Sequence, residues 1–153
     1  MEFGTIEREI RIEASPEVVF EVISSPEHLQ EWWADEAELD SAPGGRGTLR
    51  WARGTDQEMV VPITVVEVEP PRLFSFRWVA PEGEAPVPGN SLLVTFEVVP
   101  SGAATVLRMT ETGFREKGWE IAVLEEQYRD HGEGWDHYIP RLGEYVLRLV
   151  APR

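Results

Sequence analysis

Residues 121–149 read "IAVLEEQYRDHGEGWDHYIPRLGEYVLRL". Apolar or aromatic side chains fall seven apart at Ile121, Tyr128, Trp135, Leu142 and Leu149, with Leu124, Tyr138 and Tyr145 three positions beyond a register point. Such spacing places them on one stripe of a helix. The phase holds through Gly132, which favours one helix, although at ~1.5 Å per residue it would span over 40 Å. A bend is therefore expected, and Pro140, which lacks an N–H, is where it should fall. Two helices over residues 119–149 are the alternative. An apolar stripe of this length needs an equally apolar partner, and the rest of the chain supplies one.

That partner is a sheet. "TIEREIRIEA" (5–14) alternates Ile6, Arg8, Ile10 and Ile12 with charged neighbours, as a half-buried strand does. Two short helices follow: "SPEVVFEVI" offers Ser15 as N-cap, Pro16 at the first helical position and Glu17 in the first turn, and "SPEHLQEWW" repeats the signal with Ser25, Pro26 and Glu27. From Ala37 to Thr112 the pattern is β, punctuated by "APGGRG", "RGTDQE", "EPPR", "PEGEAPVPGN" and "PSGAA" as turns. The strands between them are read as "GTLRWAR", "MVVPITVVEVE", "RLFSFRWV", "SLLVTFEVV" and "TVLRMTET". In "LFSFRWV" the aromatics Phe74, Phe76 and Trp78 share one face and Ser75 and Arg77 the other, so one side of the sheet is covered.

Bulk properties narrow the function. The 153 residues are read as one domain, long enough to bury about two-thirds of the unfolded surface. Without cysteine, thiol catalysis, zinc-thiolate sites and disulfides are excluded, and a cytoplasmic setting fits. The charged start is no signal peptide, and no stretch reaches the ~20 apolar residues that span a bilayer. A formal charge of −14, from 14 basic and 28 acidic residues, argues against nucleic acid and anionic lipid as partners.

The order of these pieces resembles a known superfamily. "SPEVVFEVISSPEHLQEWW", "PPRLFSFRW", "VLRMTETGF" and "GEGWDHYIPRLGEYV" are similar in sequence and spacing to the SRPBCC (START-like, Bet v 1-like) superfamily, and within it to the group named after the activator of the ninety-kilodalton heat-shock protein ATPase. The positions that carry the likeness are Pro16, Val19, Phe20, Trp32, Trp33, Pro71, Arg72, Leu73, Gly113, Phe114, Gly134 and Trp135. The resemblance implies an α+β helix-grip fold: a curved antiparallel β-sheet wrapped around a long C-terminal α-helix, with two short helices after the first strand and a cavity between sheet and helix.

Function is read from what can line that cavity. His131 and His137, six apart, point about 240° from each other on a helix and cannot share a metal; Glu133 and His137 could chelate but lack a third ligand. No metal or cofactor is expected. His131 lies on the apolar stripe, either as a hydrogen-bonded, half-buried core histidine or as a polar contact in a pocket. Six tryptophans fill a core equally well or face a flat, greasy ligand. The cavity candidates are Trp33, Trp51, Phe74, Phe76, Trp78, Met109, His131, Trp135, Tyr138 and Ile139, with Arg50, Arg53 and Arg77 as further groups that could orient a ligand. The leading reading is a domain binding an apolar, lipid-like or aromatic small molecule. A cyclase, dehydratase or hydrolase using the same cavity is the alternative, as relatives in the superfamily imply, yet no catalytic motif stands out. A protein partner, implied by the group's name, is the third.

Overall fold

The computed structural model describes residues 3–151. Strand β1 (Thr5–Ile12) is followed by helices α1 (Pro16–Ser24) and α2 (Pro26–Trp32), then by β2 (Glu36–Leu39), β3 (Arg46–Trp51), β4 (Met59–Glu69), β5 (Leu73–Trp78), β6 (Leu92–Ser101) and β7 (Ala104–Thr112). A 3₁₀ turn at Arg115–Lys117 leads into α3 (Ile121–Val150). All seven strands form one antiparallel sheet in the order β1-β7-β6-β5-β4-β3-β2. The two short helices carry the chain from one edge of the sheet to the other; a meander of hairpins then walks back until β7 pairs with β1. The curved sheet and long C-terminal helix make the helix-grip architecture expected from the sequence.

The helix starts behave as their residues dictate. Ser15 Oγ accepts from the Val18 N–H, and a proline occupies the first position of both α1 and α2. Val19, Phe20, Val22 and Ile23 of α1 and Leu29 and Trp32 of α2 are buried against the sheet and α3.

Three details depart from the sequence reading. β2 was not among the strands read, because "EAEL" is too short and too acidic to show alternation; only its partner β3 defines it. β3 ends at Trp51 rather than Arg53, since Ala52 turns into the left-handed region with φ +55°. β4 runs through Pro62, which is tolerated because β5 starts pairing only at Ile63, so Pro62 has a ladder neighbour on one side alone.

α3 is one helix of 30 residues, not two. Pro140 is exposed, on the side where water can take up the carbonyl its missing N–H leaves free. The buried face is Leu124, Gly132, Trp135, Ile139, Leu142, Gly143 and Val146, while Ile121 and Leu149, the two ends of the expected stripe, are 65% and 46% exposed. Their exposure follows from length: at ~1.5 Å per residue the helix outruns the strands that cover it, and its terminal turns overhang. No described helix is long and apolar enough to cross a membrane.

Candidate functional site

The strands β3 and β5 end on tryptophans, and α2 runs into one. Trp33, just after α2, is the hub: ring centroids lie 5.5 Å from Trp32 (stacked), 5.5 Å from Trp51, 5.2 Å from Trp78, 5.5 Å from Trp135 and 5.7 Å from Phe76. Offset and edge contacts of this kind add to plain burial. The indoles of Trp33, Trp51, Trp78 and Trp135 form the inner wall of a cavity of about 640 Å³ between the sheet and α3. Its other walls come from the start of β4, where Met59 and Val60 are 56% and 50% exposed at the rim, and from Gln127, Asp130, His131, Gly134 and Tyr138 of α3.

Behind the aromatic wall sits a fully buried carboxyl group, Glu111 of β7. Oε2 accepts from Trp78 Nε1 at 2.7 Å, Oε1 accepts from Trp135 Nε1 at 2.8 Å, and His131 Nδ1 lies 2.9 and 3.0 Å from the two oxygens. An indole nitrogen can only donate, so each of the two oxygens accepts one indole hydrogen bond. The two indole donors and the His131 contact give this buried group its hydrogen-bond partners, without which its burial would be costly. The set spans β5, β7 and α3, so the same contacts tie the helix to the sheet.

Residues 13–146 match the family described as Activator of Hsp90 ATPase homolog 1-like protein. The chain belongs to that family. Among proteins with curated functions, none matches it in sequence. Solved structures share its fold at low identity. A protein from Mesorhizobium loti is 24% identical, covering 97% of this chain and 99% of its own, with a TM-score of 0.75. The Aha1 dimer from Colwellia psychrerythraea is 16% identical over 93% of this chain and 95% of that one, with a TM-score of 0.71. CalU16 from Micromonospora echinospora is 21% identical over 95% and 80%, with a TM-score of 0.66.

Within this family fold, the sequence candidates divide into two groups. Trp33, Trp51, Trp78, His131, Trp135 and Tyr138 line the cavity, whereas Phe74, Phe76, Met109 and Ile139 lie beneath it in the core, at most 5% exposed. His131 is hydrogen-bonded to Glu111 and also lines the cavity. His137 is exposed, with its ring against Tyr138. Arg50 and Arg77 alternate with inward residues of β3 and β5 and so face away, and Arg53 lies in the turn after β3. Arg50 pairs with Glu36 at 3.2 Å and with Glu58, Arg53 pairs with Glu36, and Arg77 donates to the Ser91 carbonyl at 3.5 Å. Among the described residues there is no cluster of three metal-ligand side chains.

Glu111 was not among the candidates. A signal for it exists: in "TVLRMTET" it is in phase with Leu107 and Met109, which places a carboxyl on the buried face of a strand. The backbone beside the cavity is also set in unusual conformations. Ala52 and Val79, each directly after a wall tryptophan, have φ of +55° and +61°. That is uncommon for any residue with a Cβ and an outlier for a β-branched one. Both are clamped: Asp35 accepts from the Ala52 N–H at 2.6 Å, and Lys117 Nζ donates to the carbonyls of Val79 and Asn90 at 2.7 and 2.9 Å. Burial holds the Lys117 ammonium below its ordinary pKa, against an opposing pull from Glu84.

Proposed function

We propose that the chain is one domain that binds an apolar or aromatic small molecule, lipid-like or flat, between the tryptophan wall and α3. The observation that carries this reading is the cavity of about 640 Å³ with four indoles on its wall. Its size falls within the roughly 300 to 1,000 Å³ of small-molecule sites, and its build is theirs: mainly apolar walls with a few convergent polar groups, in this case His131, Tyr138, Gln127 and Gln57. A −14 charge makes a neutral ligand, rather than a phosphorylated one, the natural occupant.

The wall tryptophans supply the readout. Titration with fatty acids, sterols and planar aromatics is expected to quench or shift tryptophan emission, and Trp33→Ala to weaken the response. If no member of such a panel binds more tightly than ~1 mM, which is about 4 kcal/mol of affinity, the binding reading fails.

A further inference from the structure

Glu111 and His131 stand in the relation of an orienting carboxylate and a general base, and they do so on the wall of the cavity. His131 Nδ1 faces both oxygens of Glu111, whose other acceptor sites are held by the indole N–H groups of Trp78 and Trp135. With the proton of the His131–Glu111 contact on Nδ1, the ring donates to a carboxylate that already accepts from two indoles. That leaves Nε2 of the neutral ring as a lone pair. Among the described residues Nε2 has no hydrogen-bond partner, and it is not sealed, because the sole sealed and unpartnered side-chain polar atom there is Thr64 Oγ1. The ring lines the cavity and its side chain is 15% exposed. It is also locked in orientation by edge-on contacts to Trp78 and Phe114, each at 5.5 Å between centroids.

We propose that the cavity is a proton-transfer site, with His131 Nε2 as the catalytic base, Glu111 as its positioning residue, and flat apolar molecules bearing an activated C–H bond as substrates. The inference rests on the binding reading above and adds chemistry to it. In the step, the substrate C–H bond breaks and its proton moves to Nε2. The electron pair left on carbon forms a new π bond as a leaving group departs with its own pair, or rests on a neighbouring carbonyl as an enolate. Glu111 stabilises the imidazolium so formed, and the proton passes to product or water. No oxidant or metal is required.

The probe is 5-nitrobenzisoxazole, a flat heterocycle whose C–H deprotonation completes a nitrile while the N–O bond breaks to a coloured phenolate. Tryptophan quenching measures its binding and absorbance its turnover. Turnover is expected to fall about 100-fold in His131→Phe while quenching persists. Glu111→Gln cannot accept from both indoles and His131 together, and is expected to lower the rate and shift the pH profile. Nitrogen NMR of the labelled wild-type protein, with the His131 ring signals assigned through their bonds from the backbone, reads the tautomer directly. A neutral ring protonated on Nδ1 is expected, and one protonated on Nε2 overturns the proposal, whether or not the variants fold. Quenching without His131-dependent turnover overturns it alone; absence of quenching removes the binding reading as well.

Discussion

Glu111 changes what the neighbouring aromatics are for. Without it, Trp78 and Trp135 would be two more large rings in a core; with it, each also places an N–H where a buried carboxylate needs one. Their phase was legible in the sequence, since strand alternation aligns Trp78 with Phe74 and Phe76, and helical spacing puts Trp135 at the centre of α3's stripe. Their convergence on one carboxyl group was not, because β5, β7 and α3 meet only in three dimensions. Phe114 is the simplest residue to test. Its ring is fully buried, edge-on to His131 and 5.3 Å from Tyr128. Phe114→Ala should destabilise by about 3 to 5 kcal/mol in denaturant unfolding. A value near zero would mean that the ring leaves no cavity behind.

At the level of elements, the sequence specified the helices and long strands well and the joints poorly. The Ser-Pro-Glu starts of α1 and α2 are local signals, read from adjacent residues; β2 depends on a distant partner and gives none. The joint that matters most for the site is Gly113, between β7 and the 3₁₀ turn. It sits at φ +102°, and a Cβ there would lie 2.9 Å from the Ser91 carbonyl oxygen and 3.3 Å from the Leu92 Cα. Strain and a backbone clash act together, so Gly113→Ala should cost about 1 to 3 kcal/mol or more. Gly143 is the contrast, because a Cβ there meets only the Ile10 side chain, its terminal Cδ1 at 2.8 Å and its Cγ1 at 4.0 Å. That methyl can rotate away, and alanine gains up to ~1 kcal/mol of helix propensity. Gly143→Ala should leave stability nearly unchanged, and the pair of thermal unfolding curves separates a glycine required by the backbone from one that is not.

For the molecule as a whole, α3 is fastened at both ends of its buried stretch. Near its start Tyr128 donates to the Thr5 carbonyl at 2.6 Å; near its end Tyr145 shares a 2.6 Å hydrogen bond with His28 of α2. Burial, with Glu31 nearby, raises the pKa of the Tyr145 phenol above its ordinary value near 10, Arg148 opposing. The folded protein therefore keeps this proton to higher pH than the unfolded chain. Stability from the group is intact below pH ~10 and declines as pH rises through the folded value. Lys117, shifted downward, contributes with the opposite sign, so the comparison has to be internal: unfolding curves for the parent and Tyr145→Phe should diverge above pH ~10, the parent losing more. Parallel curves would mean that Tyr145 titrates like an exposed tyrosine.

The strand order carries a kinetic consequence. β1, made first, pairs only with β7, made almost last, and α3 lies over the concave face after both. Pairings this far apart in sequence are slow, because the entropy of closing the chain is lost before the contacts form. A nascent chain halted after β6 would hold the tryptophans of β3 and β5 but neither the carboxylate nor the histidine. In refolding, the recovery of ligand-induced quenching should coincide with the final folding phase and never precede it. The cavity is thus a property of the finished chain, and an occupant that prefers the closed sheet would act as a latch on folding itself.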